Sequence, residues 1–369
     1  MEGKLVTQTY DLAVVGGGPA GTSAAITAAQ LGLRVLLLEA RAFPRHKVCG
    51  EFLSGEAVGL LTCLLDRPSR FSEAPKIAKT RIFLDERVAQ LEISPPAISL
   101  SRYELDAALW SRAEDLGAET RERTMVTKIR RVASLFAIET ALHSATARAV
   151  IDASGRWSNL HSARVAQGEN YIGLKAHFYE PAHLDSCDLY FFPGGYCGVQ
   201  PLGDGQVNAA AMVSVSRAKS LKEVFALHPR LAQRAVTWKA ASEPVSTAPL
   251  LFAPPRTNDA GVLLAGDAAA FIDPFAGDGI SIALHSGRMA SLASANYLGG
   301  KCSLAAAGAQ YECDYRKLIH PALLNASRVR QLIALPKALR AGAMSLLNVP
   351  AIGRVLVKST RVAPVSSHH

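Results

Sequence analysis

The sequence lacks long hydrophobic runs. No segment reaches the roughly 18 consecutive apolar residues that a membrane-spanning helix needs, because charged residues or prolines interrupt each candidate within a few turns. The first ten residues are polar and show neither the charged n-region nor the apolar h-region of a secretory signal. These absences predict a cytoplasmic protein, and they leave peripheral contact with a membrane open.

Cysteine is sparse and scattered. The six cysteines form no CxxC pair, and no histidine stands near them at the spacing of zinc ligands. This usage favours a reduced protein without structural disulfides. We therefore predict that the protein binds no metal ion.

Acidic residues are missing from the C-terminal part of the chain. From residue 315 to the end there are nine Lys and Arg residues and no Asp or Glu, so the net charge of +9 resides there and the rest of the chain is balanced. A balanced body argues against binding of nucleic acid. The basic, leucine-rich tail is predicted to form helices broken at Pro321, Pro336 and Pro350. It could cap a pocket, lie on an anionic membrane or contact an acidic carrier protein.

The first 40 residues predict a strand, a glycine-rich turn, a helix and a second strand. Residues 11–15 are apolar, residues 19–31 have a helical period that ends at Gly32, and residues 34–38 are apolar again. This order is typical of a βαβ unit.

A GxGxxG motif occupies the turn of this unit. Gly16 permits the tight turn, Gly18 lets the backbone approach a pyrophosphate, and Gly21 lets the helix pack closely on the strand. The helix N-terminus offers free N–H groups to phosphates. Glu39, at the end of the second strand, can accept hydrogen bonds from a ribose. The motif predicts a bound dinucleotide, whose further contacts are Pro19, Ala20, Ala40 and Arg41.

A second site far along the chain indicates which dinucleotide this is. A buried strand at residues 261–265 runs into Gly266 and Asp267, which places a carboxylate beside a polyol that FAD has and NAD lacks. Shortly afterwards, glycine N–H groups at a helix start can meet the pyrimidine edge of a flavin and stabilise its anionic reduced form. The predicted contacts in this second segment are Pro274, Gly277, Asp278, Gly279 and Ile280.

The predicted fold is α/β, α+β overall, with a Rossmann-like FAD-binding domain interrupted by an antiparallel β-sheet substrate domain. Residues 170–250 are richest in β signals and aromatic residues. We assign residues 1–80, 101–165 and 255–300 to the FAD-binding domain. Residues 81–100 and 166–254 form the sheet domain, and residues 301–365 form the basic helical C-terminal region.

These motifs resemble the flavoproteins of the glutathione-reductase-2 class, which have the p-hydroxybenzoate-hydroxylase-like fold, over most of the chain to about residue 300. Residues 101–109 are similar to the Arg-xx-(Phe/Tyr)-Asp-xx-Leu helix of that class, whose arginine reaches the cofactor. The resemblance implies that Arg102 contacts FAD. It also implies that the backbone at Val126 pairs with the adenine.

Two segments are similar to geranylgeranyl reductases. Residues 43–53 resemble the Lys-x-Cys-Gly loop of those enzymes, and also a halogenase segment ending in Gly-Glu; this loop approaches the flavin ring. The resemblance implies that Cys49 faces the isoalloxazine, with Lys47 and His46 lowering its pKa, unless it is an inert buried cysteine. The neighbouring predicted contacts are Val48 and Gly50.

Residues 194–201 resemble the Gly-Tyr-x-Trp-x-x-Pro strand that lines the substrate cavity of the reductases. Tyr196 could donate a proton or orient the substrate there, or it could be a core residue of the sheet. Gly198 replaces the tryptophan of that strand.

Some motifs of the halogenases and hydroxylases in this class are missing from the sequence. Gly277 stands where halogenases carry a serine, and their Trp-x-Trp signature is missing, so a flavin-dependent halogenase is disfavoured. Residues 152–156 replace an Asp-Gly motif of the hydroxylases, and there is no second GxGxxG. We therefore expect electrons to come from NAD(P)H that binds transiently, or from a reductase partner.

Taken together, the residues and the resemblance predict an FAD-dependent oxidoreductase with a small apolar substrate. The favoured interpretation is a monooxygenase that acts through a flavin C4a-hydroperoxide on a polyketide-, aromatic- or isoprenoid-like molecule. The alternative is a geranylgeranyl-type alkene reductase that delivers hydride to a double bond, with Cys49 or Tyr196 as proton donor. A flavin-free lipid-binding regulator is disfavoured because Gly16, Glu39 and Asp267 are present.

Overall fold

The structure of the protein is a computed structural model that describes residues 9–66, 71–156, 160, 170–181, 185–247, 250, 252–333 and 337–363. In chain order the strands are β1 (Thr9–Val15), β2 (Val35–Leu38), β3 (Phe52–Leu53), β4 (Lys76–Leu84), β5 (Arg87–Ser99), β6 (Glu119–Arg121), β7 (Val126–Val132), β8 (Leu135–Thr140), β9 (Ser144–Asp152), β10 (Tyr171–Tyr179), β11 (Ser186–Phe192), β12 (Gly195–Gly203), β13 (Gln206–Ser214), β14 (Lys239–Ala240), β15 (Val245–Ser246), β16 (Asn258–Asp259) and β17 (Val262–Leu264). The helices are α1 (Pro19–Gln30), α2 (Gly55–Leu65), α3 (Arg102–Asp115), α4 (Leu221–Ala226), α5 (Pro229–Ala235), α6 (Gly279–Leu298), α7 (Leu304–Leu318), α8 (His320–Ile333), α9 (Lys337–Leu347) and α10 (Pro350–Ser359).

The first sheet carries the predicted βαβ unit. Its strand order is β16-β17-β9-β1-β2-β6, with β7 and β8 attached beside β9. The central strands β17, β9, β1 and β2 are parallel. All four residues of β2 and the last four of β1 are buried, as expected for parallel strands covered on both faces. Helices α1, α3 and α6 supply that cover, because their apolar residues join the same core.

The second sheet is mainly antiparallel, with the order β14-β10-β13-β12-β11-β4-β5-β3 and with β15 paired to β10. Strands β11 and β4 form its parallel pair. The two sheets with flanking helices confirm the predicted fold class.

The second sheet begins earlier in the chain than the predicted boundary at residue 81. Strand β4 starts at Lys76 and pairs with β5 as far as Leu84 opposite Arg87. The short strand β3 pairs with the other end of β5. Because β4 and β5 form one hairpin, their hydrogen bonds keep both strands in the same sheet.

The C-terminal helices divide between the two sheets. Helix α7 packs on α6, and its buried Tyr311 donates a hydrogen bond from its hydroxyl to the carbonyl of Leu264 at 2.7 Å. Helices α9 and α10 pack against β5 instead. Pro321 and Pro350 lie at helix starts, where proline is tolerated, and Pro336 lies outside the described residues. Among the described helices, none is both long and apolar enough to cross a membrane.

Candidate active site

A cleft lies between the two sheets and is lined by residues of both. The GxGxxG turn, the loop before β3, strand β12 and the segment leading into α6 form its walls. Fifteen of the residues predicted from the sequence line this cleft: Gly18, Pro19, Ala20, Lys47, Val48, Cys49, Gly50, Arg102, Tyr196, Gly266, Asp267, Pro274, Gly277, Gly279 and Ile280.

The other predicted residues lie outside the cleft wall. Gly16 and Gly21 form the base of the turn, Ala40 and Arg41 are exposed beyond β2, and Val126 is buried at the start of β7. Glu39 and Asp278 are buried, and their carboxylates are described below.

Backbone contacts make two glycines of the turn irreplaceable. Gly16 has a φ of +105°, and a Cβ there would lie 2.4 Å from the carbonyl oxygen of Ala153. A Cβ at Gly21 would lie 1.7 Å from the carbonyl oxygen of Gly16. At Gly18 the nearest atom to a Cβ would be Nη2 of Arg102 at 3.8 Å, so this backbone faces open space beside a cation.

This turn fits a dinucleotide. The N-terminus of α1 is buried, has no side-chain cap and has no acidic residue in its first turn. A buried helix end without a cap needs a partner for its N–H groups, and a phosphate is a suitable one. Glu39 accepts hydrogen bonds from the N–H of Gly17 at 2.8 Å and of Arg41 at 2.9 Å, which hold its carboxylate at the end of β2.

Arg102 is fixed next to the turn. Its guanidinium donates two hydrogen bonds of 2.6 Å to the carboxylate of Asp106, one helical turn further along α3. Both side chains are almost fully buried. The bidentate pair holds a cation in one orientation at the cleft wall, which is suited to a phosphate.

The loop that carries Cys49 is tied down by its backbone. The side-chain amide of Asn208 donates hydrogen bonds to the carbonyls of Cys49 at 3.0 Å and Gly50 at 2.8 Å. His46 is not the cation that was expected to act on the thiol, because burial, Lys175 and His177 lower its pKa below the usual value of 6.5. The imidazole of His46 is therefore mainly neutral near pH 7.

Glu51 anchors the same loop, and the sequence analysis did not single it out. Its buried carboxylate accepts hydrogen bonds from Lys175 Nζ at 2.6 Å, from His177 Nε2 at 2.7 Å and from the backbone N–H of Arg102 at 2.8 Å. Burial alone would raise the pKa of Glu51, but His177 and Lys175 lower it. A signal was present in the sequence, since Lys175 and His177 are alternate polar residues in an otherwise apolar strand.

Asp267 also lines the cleft. Its carboxylate accepts a hydrogen bond of 2.9 Å from Arg156, whose guanidinium lies 3.6 Å above the ring of Phe271. Arg156 belongs to the segment that replaces the hydroxylase motif, and it lines the cleft. The carboxylate and the guanidinium together offer both acceptors and donors to a polyol.

The segment before α6 presents a helix N-terminus to the cleft. Gly277 has a φ of +70°, and α6 continues for 20 residues from Gly279. The positive end of this helix favours a negative charge in the cleft. Asp278 turns away from the cleft wall, and its carboxylate accepts a hydrogen bond of 2.7 Å from the N–H of Val362 in the tail.

An apolar wall faces these polar groups. Tyr196 is buried on β12, and its ring centroid lies 5.5 Å from that of Phe191 and 6.2 Å from that of Phe275. Burial raises the pKa of Tyr196 well above its usual value, so the hydroxyl keeps its proton at neutral pH. Leu189 and Met212 line the same wall.

Arg361, which follows α10, was also missed by the sequence analysis. Its side chain lines the cleft with the guanidinium carbon 4.7 Å from the ring centroid of Phe52. The sequence offered no local signal for this placement, because Arg361 is one of nine basic residues in the tail. Among the described residues, no group of three or more His, Cys, Asp or Glu side chains could hold a metal ion.

Comparisons with known proteins agree with this geometry. Residues 11–62 match the model of the FAD dependent oxidoreductase family. Digeranylgeranylglycerophospholipid reductase of Methanocella arvoryzae is 29% identical over 88% of this chain and 87% of its own. Digeranylgeranylglycerophospholipid reductase 1 of Methanopyrus kandleri is 30% identical over 76% of this chain and 79% of its own. Menaquinone reductase of Mycobacterium tuberculosis is 30% identical over 78% and 76%.

Solved structures share the fold. A geranylgeranyl bacteriochlorophyll reductase-like protein of Thermoplasma acidophilum has a TM-score of 0.78 and 24% identity, covering 95% of this chain and 96% of its own. A flavin-dependent brominase has a TM-score of 0.77 and 21% identity, covering 95% of this chain and 98% of its own.

These findings confirm an enzyme with FAD as its cofactor. The chain belongs to the family of FAD-dependent oxidoreductases that includes the digeranylgeranylglycerophospholipid reductases and the menaquinone reductases.

Proposed function

We propose that the protein reduces carbon–carbon double bonds in the isoprenoid part of a lipid. The observation that carries this proposal is an apolar wall facing the predicted flavin residues across one cleft, in a chain whose relatives are named as reductases. The monooxygenase favoured by the sequence analysis has less support. The solved structures of halogenating flavoenzymes that this chain resembles are under 25% identical to it, so they show the fold and do not support an oxygen-dependent reaction.

In this proposal the residues on the two sides of the cleft would hold the cofactor, with the following roles. The N–H groups of α1 and the guanidinium of Arg102 bind its phosphates, and Glu39 binds the adenosine ribose. Asp267 binds the polyol, and the glycine segment from Gly277 contacts the pyrimidine edge. When bound, FAD supplies the hydride-transfer chemistry.

The sheet side of the cleft would hold the substrate. Tyr196, Phe275, Leu189 and Met212 present carbon surface and few polar groups, so an isoprenoid chain displaces water on binding. A Cβ at Gly198 would lie 3.3 Å from the nearest side-chain carbon of Leu189. The side chain of Leu189 therefore already occupies the space beside the position where the resembling reductases carry tryptophan.

Reduction of an alkene needs a proton on the carbon that does not receive the hydride. Among the side chains that line the cleft, the hydroxyl of Tyr196 and the thiol of Cys49 are the groups we consider for this proton. Because its pKa is raised, Tyr196 is protonated throughout the physiological range. We assign the proton transfer to one of these two groups. The electrons come from transiently bound NAD(P)H or from a reductase partner.

An anaerobic single turnover tests the proposal. The FAD-loaded protein is reduced with dithionite and mixed without oxygen with a geranylgeranyl lipid or with menaquinone, and flavin reoxidation and product mass are followed. We expect reoxidation together with a product that has gained two hydrogen atoms in its isoprenoid chain, as shown by fragmentation of the product after any quinol has been reoxidised. Reoxidation only by oxygen, with a product that has gained an oxygen atom, would contradict the reductase and support the monooxygenase.

A further inference from the structure

One arginine of the C-terminal tail reaches the cleft. The side chain of Arg361 is only 7% exposed, and its neighbours Thr360 and Val362 are buried as well. It shares the cleft wall with Gly277 and Gly279. The tail is held there by the hydrogen bond from the N–H of Val362 to Asp278. The position of Arg361 is therefore set by backbone contacts.

The guanidinium of Arg361 has unused donors. Among the described residues, neither Nε nor Nη1 has a hydrogen-bond partner. The nearest carboxylate oxygen, Oδ1 of Asp278, lies 3.8 Å from Nη1, which is too far for a hydrogen bond. Buried donors of a charged group are normally satisfied, so this arginine is prepared for an acceptor that enters the cleft.

The charge of Arg361 acts inside the cleft. Burial raises the pKa of Cys187, a cleft residue, to about 12, and Arg361 is the foremost cation that opposes this rise. The ring of Phe52, on which the guanidinium lies, has a carbon 3.0 Å from the position of a Cβ at Gly277. The cation and the N-terminus of α6 therefore favour negative charge at the same end of the cleft.

We propose that Arg361 donates hydrogen bonds to an acceptor at the pyrimidine end of bound FAD and makes the flavin easier to reduce. This inference rests on the cofactor placement given under the proposed function. Reduction adds negative charge at that end of the flavin, so a nearby cation stabilises the reduced form more than the oxidised one. Arg361 acts here as a tuning residue, since it transfers no proton or hydride.

The ion pair between Arg361 and Asp278 allows a test in which the two partners should change the reduction potential of FAD in opposite directions. Burial raises the pKa of Asp278, and the charge of Arg361 opposes this rise. Removal of the cation should lower the reduction potential of FAD, whereas removal of the carboxylate that the cation keeps ionised should raise it. A purely structural ion pair predicts something else, because loss of either partner would then lower the stability without opposite effects on the potential.

The experiment measures the midpoint potential of FAD in the purified holoprotein by equilibration with a reference dye. The variants are Arg361→Gln, Arg361→Lys and Asp278→Asn, each with its thermal unfolding and its FAD dissociation constant. We expect Arg361→Gln to shift the reduction equilibrium about tenfold toward oxidised flavin, which is about 30 mV for a two-electron couple. Asp278→Asn should shift it the other way, and Arg361→Lys should remain near the wild type.

The outcomes separate this inference from the proposed function. Unchanged potentials in Arg361→Gln and Asp278→Asn that both bind FAD would overturn the role of Arg361 and leave the reductase proposal intact. A change confined to the affinity for substrate would also overturn it, because the acceptor would then belong to the substrate. If the wild-type protein binds no FAD, the cofactor placement itself fails.

A second inference concerns the outer face of α10, the turn before it and the last turn of α9. Leu346, Val349, Ile352 and Val355 are exposed, with Leu346 at 56% and Val355 at 69%. Four of the twelve large hydrophobic residues exposed in the described chain thus fall within ten residues. The inner face of α10 is occupied, since a Cβ at Gly353 would lie 2.8 Å from Leu91.

Basic residues flank this apolar ridge. Arg354 and Lys358 are exposed on α10, and no acidic residue follows Asp314 in the sequence. Aliphatic residues and cations on one exposed helix face are suited to the interface of an anionic bilayer, where the charges meet lipid headgroups and the apolar side chains enter the acyl boundary. We infer that this face docks on an anionic lipid surface, which would bring a lipid substrate near the cleft that α10 adjoins through Arg361.

Vesicle sedimentation tests this inference with the full chain. Binding to phosphatidylcholine vesicles containing phosphatidylglycerol is compared with binding to phosphatidylcholine alone, at low and high salt. We expect binding only to the anionic vesicles, weakened by salt and reduced about tenfold in Arg354→Gln/Lys358→Gln. Ile352→Ser/Val355→Ser should also weaken it.

The matched control is Leu142→Ser/Lys128→Gln, which removes one exposed leucine and one exposed lysine from the first sheet. It should bind like the wild type. No binding to anionic vesicles at low salt would overturn the inference, as would an equal loss in the control. Binding to an acidic protein with no affinity for the vesicles would assign the face to a protein partner instead.

Discussion

Glu51 and Lys175 form a buried ion pair in which Nζ lies 2.6 Å from the carboxylate, and they are 124 residues apart in the sequence. Neither side chain is more than 1% exposed. The pair joins the loop that carries Cys49 to strand β10, so it fixes one wall of the cleft.

Removing one partner of this pair should be costly. Lys175→Met leaves the carboxylate of Glu51 buried with less compensation, and we expect a loss of about 3 kcal/mol in the free energy of unfolding. Urea denaturation of the apoprotein measures it. Lys79→Met, which breaks an exposed pair with Asp185, serves as the control and should show no comparable loss. A Lys175→Met protein as stable as the control would show that the pair does not anchor the loop.

Gly18→Ala should separate cofactor binding from folding. A methyl group at Gly18 has no protein atom closer than 3.8 Å, so the apoprotein should keep its stability, while the methyl group blocks the approach of a phosphate. We expect FAD affinity to fall by about tenfold or more, which corresponds to about 1.4 kcal/mol. Fluorescence titration with FAD gives the affinity.

Two further glycine variants serve as controls for Gly18→Ala. Gly21→Ala should lose both stability and FAD binding, because its methyl group would overlap the backbone of Gly16. Gly59→Ala, on an exposed face of α2 with no atom within 4 Å, should leave FAD affinity unchanged and raise stability by about 1 kcal/mol, because alanine favours a helix more than glycine does. Normal FAD affinity in Gly18→Ala would move the phosphate site away from the turn.

Asp273 should make stability depend on pH. Burial raises its pKa to about 7 from 3.8, against the opposing charge of Arg330. Because the folded state holds the proton more tightly than the unfolded state, this group's contribution is greatest below pH 4. This contribution to the free energy of unfolding, up to about 4 kcal/mol, is lost as the pH rises from 4 to 7.

Denaturation curves at several pH values check this expectation. Asp273→Asn removes the titration, so its stability should rise relative to the wild type between pH 4 and pH 7 and remain higher above pH 7. Asp204→Asn is the control, because Asp204 is exposed in a turn with a φ of 51° that asparagine also tolerates. Parallel curves for Asp273→Asn and the wild type would mean that Asp273 is ionised in the fold without penalty.

Tyr196→Phe and Cys49→Ala should identify the proton donor of the proposed reduction. Loss of the donor should slow the single-turnover reduction of substrate by about 10²- to 10⁴-fold, with little effect on FAD binding. The other variant should react at nearly the wild-type rate. Solvent deuterium exchange into the product would report the proton step directly. If both variants keep the full rate, the proton comes from water or from another group.

The features that the sequence predicted best depend on neighbouring residues. The GxGxxG turn, Glu39 and the strand before Asp267 each combine a local pattern with a local backbone requirement, such as the φ of +105° at Gly16. For this reason the Rossmann-like architecture and the FAD cofactor could be inferred without coordinates. The roles of individual cofactor contacts stay predictions.

Other features depended on how the chain comes together in space. Two side-chain partners of Glu51 lie on β10. The β4–β5 hairpin starts the second sheet at Lys76, before the predicted boundary. Arg361 lines the cleft, although the tail that carries it was expected only to cap a pocket or to contact a partner. The sequence alone indicated a dinucleotide cofactor and a fold with a parallel and an antiparallel sheet, because periodicity and glycine spacing are local properties. Only the tertiary structure decided which buried charges line the cleft, because pairing between residues more than 100 positions apart depends on packing that no local pattern encodes.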